Sequence, residues 1–124
     1  MTMTAIDLVA EAKQHITEIN IEEAKQAIAT DLILDVREPA EYAAGCLPGA
    51  INIPRGVLEF KITSHPEFQY KQDSKIIVYC QSGGRSALAT EVLNKLGYKN
   101  AVSLKGGYKA WLENGLHVSK PESA

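Results

Sequence analysis

The run KIIVYCQSGGRSALA, residues 75–89, constrains this chain more than any other stretch. Its first part is apolar, β-branched and of strand length, the composition that suits a buried pleated surface. It ends directly on Cys80, passes through Gly83 and Gly84, and leads into a segment where Leu88, Val92 and Leu96 recur four apart before Gly97. That order predicts a strand, a tight glycine loop and a helix with one apolar face and a glycine stop. A strand apolar on both faces belongs inside a parallel sheet, as does LILDV, residues 32–36.

The remaining chain supplies further elements for such a sheet. Ile6, Val9, Ala12 and Ile16 are spaced as one face of an amphipathic helix, with Thr4 and Asp7 in a capping pattern. An extended piece at Glu18 and Ile19 precedes Asn20 as an N-cap, Glu23 three residues on, and a helix through Ile28. Gly45, Pro48, Gly49 and Pro54 punctuate a structured connection that holds AINI as a short strand. Residues 55–73 are poorly periodic and predict short helical turns. The end carries AVSL as a strand, a Gly-Gly turn, a helix with Trp111, and a polar, frayed tail from Ser119.

Composition excludes several classes. The 124 residues suit one domain with its own core, and 45% hydrophobic with 23% charged residues is ordinary for a soluble globular chain. A formal net charge of -2, with Lys and Arg spread along the chain, leaves no basic stripe for nucleic acid. The N-terminus lacks a basic region followed by an unbroken apolar run, and nothing approaches the roughly 20 apolar residues of a membrane span. A cytoplasmic protein without a membrane partner is expected. The cysteines are Cys46 and Cys80, with no C-x-x-C pair and no histidine at zinc-ligand spacing, so no metal is expected. A single Cys46–Cys80 disulfide does not fit a compartment that keeps thiols reduced.

The loop itself has the makings of a reactive site. In an open parallel sheet, ligands collect at the carboxyl ends of the strands, where Cys80 falls. Gly83 and Gly84 let the backbone curl its N–H groups inward, and the following helix start adds partial positive charge. Arg85 contributes a permanent cation to the mouth or braces the loop, while Ser82 and Ser86 offer hydroxyl donors. These features stabilise a thiolate, the nucleophilic form of cysteine. Cys80 is the candidate nucleophile, with Gln81, Ser82, Gly83, Gly84, Arg85 and Ser86 as the substrate-binding loop.

Three runs, LDVREPAEYAAGCLPGAINIP (34–54), IIVYCQSGGRSALA (76–89) and LGYKNAVSLKGGYKAW (96–111), together resemble a single-domain rhodanese, a sulfurtransferase family. The resemblance spans residues 17–116 in order. It implies a three-layer α/β/α fold around a parallel sheet of about five strands. It also implies that Cys80 takes a sulfane sulfur from a donor such as thiosulfate or a persulfide, holds it as a persulfide, and passes it to cyanide or a thiol, a protein thiol included. No cofactor is implied. Residues 1–16 then form an accessory helix, 17–118 the rhodanese-like domain and 119–124 a flexible tail. Rhodanese-like binding, regulatory or sulfur-carrier modules are the alternative, although the binding modules commonly lack the cysteine. Cysteine phosphatases of similar fold place five residues between cysteine and arginine, whereas four stand between Cys80 and Arg85.

Two positions depart from the family pattern. Cys46 stands where the family usually has histidine, and packing is its expected role. The loop carries no charge before Arg85, so a strongly anionic donor such as thiosulfate gains little there. Asp35 and Arg37 match the family's DVR signature and are expected as a structural ion pair beside the loop. Tyr108 and Trp111 are expected core anchors, Arg55 and Lys61 are candidates to flank the cleft, and His15, His65 and His117 are expected on the surface or in packing.

Overall fold

In the computed structural model, which describes residues 2–121, strands β2 (Leu32–Asp35) and β4 (Ile76–Tyr79) form the middle of the sheet. They run parallel, with Leu32 opposite Ile76 and Asp35 opposite Tyr79. Strands β1 (Glu18–Ile19), β3 (Ile51–Asn52) and β5 (Ala101–Leu104) complete a five-stranded sheet in the order β1-β5-β4-β2-β3. Every neighbouring pair is parallel. The fold is therefore the α/β sheet that the two apolar runs predict.

Alternation along the strands divides the apolar side chains between two cores. Leu34, Val36, Ile76, Val78 and Cys80 face one core, where α4 (Leu58–Lys61) and α5 (Gly84–Lys95) cover the sheet. Ile33, Ile77 and Tyr79 face the other, covered by α2 (Ile21–Ala27), by α6 (Gly107–Glu113) and by Tyr42 of α3 (Pro39–Ala44). The result is three layers. Cys46 belongs to the second core and Cys80 to the first, and both thiols are free.

The capping signals read as they should. Thr4 and Asp7 exchange side-chain and backbone hydrogen bonds ahead of α1 (Ala5–Lys13), and Asn20 and Glu23 do the same ahead of α2. Helix α1 lies along α5, with Ala12 buried and Ile6 81% exposed, so its contact stripe is narrower than the four apolar positions suggest. Residues 39–44 form a helix where the sequence indicates only a structured connection. The available signal was Pro39 at the first helical turn with Glu41 three residues after Glu38.

A second difference concerns α5. Its buried side chains are Ser86, Ala87, Ala89, Thr90 and Leu93, while Leu88 and Val92 are half-buried and Leu96 is exposed. Small side chains bring this helix close to the sheet, and α1 covers it from another side. Apolar spacing alone cannot tell those two contacts apart. At the other end, Cys46 and Ser119 exchange two backbone hydrogen bonds of 2.8 Å, which ties the first residue of the expected tail to the loop after α3. Residues 122–124 of that tail lie outside the described residues.

Burial ranks the leucines of α5 in an order opposite to their spacing. Leu93→Ala should cost about 2–5 kcal/mol in urea unfolding, as a buried leucine does. Leu96→Ala should cost less than about 1 kcal/mol.

Candidate active site

Strands β2 and β4 send their chains to opposite faces. The segment after β2 passes through α3 to β3, whereas the segment after β4 passes through α5 to β5. A crevice opens between such divergent connections at the carboxyl ends of the strands. Cys80 and the Asp35–Arg37 segment occupy the two sides of it.

Cys80 is 1% exposed, and its Sγ sits within its own loop. The backbone N–H of Gly83 donates to Sγ at 3.0 Å, and Ser86 Oγ lies 3.5 Å from it. Gly83 reaches this arrangement at φ +115°, a conformation that side chains disfavour. The loop is also held from outside. At the start of α6, the N–H of Tyr108 donates to the Cys80 carbonyl at 2.9 Å and that of Lys109 to the Gln81 carbonyl at 3.0 Å. Gly107 makes this approach possible: it has φ +58°, and a Cβ there would come within 2.8 Å of the Gln81 oxygen. The sequence signals a Gly-Gly turn at this place but not its contact with the Cys80 loop, which lies more than twenty residues earlier.

Arg85 braces the loop. Its guanidinium grips Glu41 of α3 with two hydrogen bonds, Nη1 to Oε1 at 2.7 Å and Nη2 to Oε2 at 3.1 Å. The same carboxylate accepts the Glu38 N–H at 3.0 Å, so one side chain caps α3 and anchors α5. The hydrogen bonds from Arg85 hold the Glu41 carboxyl down at about 2. Glu41 escapes sequence reading because its partner is 44 positions away.

Asp35 and Arg37 form a buried pair. Arg37 Nη2 meets Asp35 Oδ2 at 2.7 Å, and Nε reaches both carboxylate oxygens. Tyr79 donates its hydroxyl to Asp35 at 2.7 Å and accepts the Leu47 N–H at 3.1 Å. Burial first, and then the Asp35 carboxylate, push the Tyr79 phenol far above its ordinary range. Arg37 also donates to the Gly45 carbonyl at 2.6 Å and lies over the Tyr108 ring, 4.3 Å from its centroid. Tyr108 thus joins this network to the Cys80 loop. Its ring is a stacking partner as well as a core contact.

Among the other predicted loop residues, Gln81 and Gly84 are half-buried, Ser82 is exposed and Ser86 is fully buried. Ser103 of β5, absent from the sequence prediction, lies 2.9 Å from Ser86 through the two hydroxyl oxygens. Cys46 is 3% exposed, and burial, followed by Asp35, pushes its thiol up. Arg55 is engaged by Glu59 at 2.9 Å, and Lys61, His15 and His117 are exposed while His65 is half-buried. Trp111 is buried and donates to the His117 carbonyl at 2.8 Å. Among the described residues no cluster of three His, Cys, Asp or Glu side chains could hold a metal ion, and no helix is long and apolar enough to cross a membrane.

Comparison with known proteins adds the following. The sequence profile of the Rhodanese-like domain matches residues 20–114. An Allochromatium vinosum protein named sulfurtransferase is 34% identical over 110 residues, covering 86% of this chain and 98% of its own. A solved rhodanese-related protein from Thermoplasma volcanium superposes with a TM-score of 0.76 at 36% identity, covering 85% of this chain and 99% of that one. A Rhodopseudomonas palustris structure, described as a protein of unknown function and possible tyrosine phosphatase, reaches 0.84 at 31% identity and covers 96% of both chains.

Substitutions at Gly107 and Glu41 probe these contacts, with Gly115 as the reference for backbone strain alone. Gly115 has φ +69° and open space within 4 Å of where a methyl would stand, so Gly115→Ala should cost about 1–2 kcal/mol, the penalty of a left-handed residue alone. Gly107→Ala adds collision with the Cys80 and Gln81 carbonyls, and should cost clearly more in urea unfolding. For Glu41, the folded value of about 2 lies below the ordinary 4.5, so its stabilisation is present in full above 4.5 and is lost as pH falls towards 2. Glu41→Gln should therefore be less stable than wild type by about 0.5–1 kcal/mol at neutral pH, the range of a solvent-screened pair, and the gap should close in acid.

Proposed function

Because the chain belongs to the rhodanese-like domain family, we propose that it is a sulfurtransferase in which the Cys80 sulfur carries the transferred atom. The observation that carries this reading is the Gly83 N–H aimed at Cys80 Sγ from 3.0 Å, inside a loop held by α6 behind it and by Glu41 beside it. Donors fixed in advance stabilise negative charge without reorganising when it appears. Here that charge sits on the thiolate before transfer and on the terminal persulfide sulfur after it.

The reaction runs in two halves. The Cys80 thiolate attacks the outer sulfur of a sulfane donor; a sulfur–sulfur bond forms to Cys80, and the bond to the rest of the donor breaks. With thiosulfate the leaving group is sulfite, which departs with the electron pair. A thiolate or cyanide then attacks the outer sulfur of the persulfide, and the Cys80 thiolate is regenerated as the new persulfide or thiocyanate leaves. No proton or electron is needed beyond those of the ionised thiols.

Charge bears on the donor. Gln81, Ser82, Gly83 and Gly84 are uncharged, and the cation that follows them is shared with Glu41. This favours a persulfide over the doubly charged thiosulfate. The same pairing weakens a phosphatase reading, since a phosphoryl group needs a guanidinium free to bind it in bidentate fashion. In this proposal residues 17–118 are the catalytic domain, α1 is an accessory element, and the acceptor is a small thiol, cyanide or a protein thiol reaching Cys80 past Gln81 and Ser82.

Intact-protein mass spectrometry after treatment with thiosulfate or a small-molecule persulfide tests this directly. Wild type should gain about 32 Da, one sulfur atom held covalently, and cyanide should remove it as thiocyanate. Cys80→Ser should gain nothing. A wild type that takes up sulfur from neither donor overturns the proposal, as does unchanged uptake by Cys80→Ser.

A further inference from the structure

Ser103 approaches the reactive sulfur from the sheet side of the loop. In the β4–β5 register it stands opposite Val78, so it shares the face on which Val78 and Cys80 lie. Its Oγ is 2.9 Å from Ser86 Oγ, and Ser86 Oγ is 3.5 Å from Cys80 Sγ and 3.3 Å from the Gly83 carbonyl. Both serines are fully buried, so bulk solvent does not supply their partners.

A hydroxyl has one proton to give and two lone pairs to fill. While Cys80 is a thiol, its S–H donates to Ser86 Oγ and the Ser86 proton is directed at the Gly83 carbonyl. Once the thiol proton has left for solvent, the sulfur only accepts. The Ser86 hydroxyl can then turn its proton to the sulfur, provided another donor occupies its oxygen. Ser103 is the hydroxyl placed to do so.

We propose that Ser103 is a positioning residue: its O–H donates to Ser86 Oγ, orienting and polarising the Ser86 hydroxyl so that it donates to the negatively charged sulfur of Cys80. The hydroxyl protons rotate and none is transferred between the serines. Chains of this kind strengthen each bond within them. The other groups around the sulfur leave this task to the serines. Helix α5 brings Arg85, whose charge is paired with Glu41; the start of α6 brings Tyr108, stacked on Arg37, and backbone N–H groups engaged by carbonyls; the remaining residues of β5 are apolar. The inference rests on Cys80 being the reacting sulfur.

The test is the pH profile of Cys80 ionisation. It is read by ultraviolet thiolate absorbance against Cys80→Ser and by iodoacetamide labelling of the Cys80 peptide. Ser103→Ala should move the profile to higher pH and slow labelling at neutral pH by about three- to tenfold, the worth of one hydrogen bond. Ser86→Ala should move it at least as far. The double variant should move it no further than Ser86→Ala alone, because Ser103 acts through Ser86, and Ser103→Thr, which keeps a hydroxyl, should retain the wild-type profile. An unshifted profile in either single variant overturns the proposal, and so does a double variant whose shift is the sum of the two. If Ser103→Ala does not fold, Ser103→Val, close in shape to Ser103→Thr but without the hydroxyl, takes its place: it should shift the profile where Ser103→Thr does not, and an unshifted Ser103→Val overturns the proposal. Sulfur uptake by wild type is scored separately. Ionisation without uptake marks failure of the sulfurtransferase reading, and uptake with an unshifted Ser103→Ala profile marks failure of the role given to Ser103.

Discussion

The backbone contact between the start of α6 and the loop after β4 holds the site together. Two amide N–H groups, from Tyr108 and Lys109, are spent on the carbonyls of Cys80 and Gln81. Those carbonyls are thereby turned outward, which leaves the inward side of the loop to N–H groups such as that of Gly83. An anion-stabilising concavity needs this division, because carbonyl oxygens facing the sulfur would repel its charge. The contact requires a residue without a side chain at position 107, and so couples a turn near the end of the chain to a loop near its middle.

Around that contact stand two ion pairs in different surroundings. Asp35 and Arg37 are almost wholly buried, and each finds further partners, Tyr79 for the carboxylate and the Gly45 carbonyl and the Tyr108 ring for the guanidinium. Full satisfaction is the condition under which a buried pair offsets its desolvation. Its effect is to position, since it links the ends of β2 and β4 to the ring whose own amide holds the Cys80 loop. Glu41 and Arg85 are partly exposed and screened, so their pair adds less stability. It fixes instead where the cation of the loop points.

Legibility in the sequence follows the range of the interactions. Strands β2 and β4, the caps at Thr4 and Asn20, the short strand at Ile51 and the strand-loop-helix around Cys80 all depend on residues a few positions apart, and periodicity and capping chemistry expose them. Helix α3 was legible too, through Glu38, Pro39 and Glu41, but the glycines and prolines that follow dominate the local pattern. The burial of α5 was not, because two different layers press on that helix and its spacing reports both. Within the site, Cys80 and its loop stand out from local context alone. Glu41, Gly107 and Ser103 act on residues 44, 27 and 17 positions away, and those contacts carry no local signature.

These contacts leave little free charge around the Cys80 sulfur, because the nearest cation is paired with Glu41. A buried cation beside Cys80 would stabilise a thiolate and a persulfide alike, and would also bind any passing anion strongly. Amide and hydroxyl dipoles act mainly at short range. The Gly83 N–H addresses the sulfur itself and the Ser86 hydroxyl oxygen stands 3.5 Å from it, while Arg85 is turned to Glu41. Under the proposed function, such a site would distinguish substrates by the atom presented to it rather than by their net charge. In the proposed transfer, in which one sulfur is accepted and released again, short-range dipoles would have a further advantage: small rotations would let them follow the charge from thiolate to persulfide without fixing either state too firmly to react.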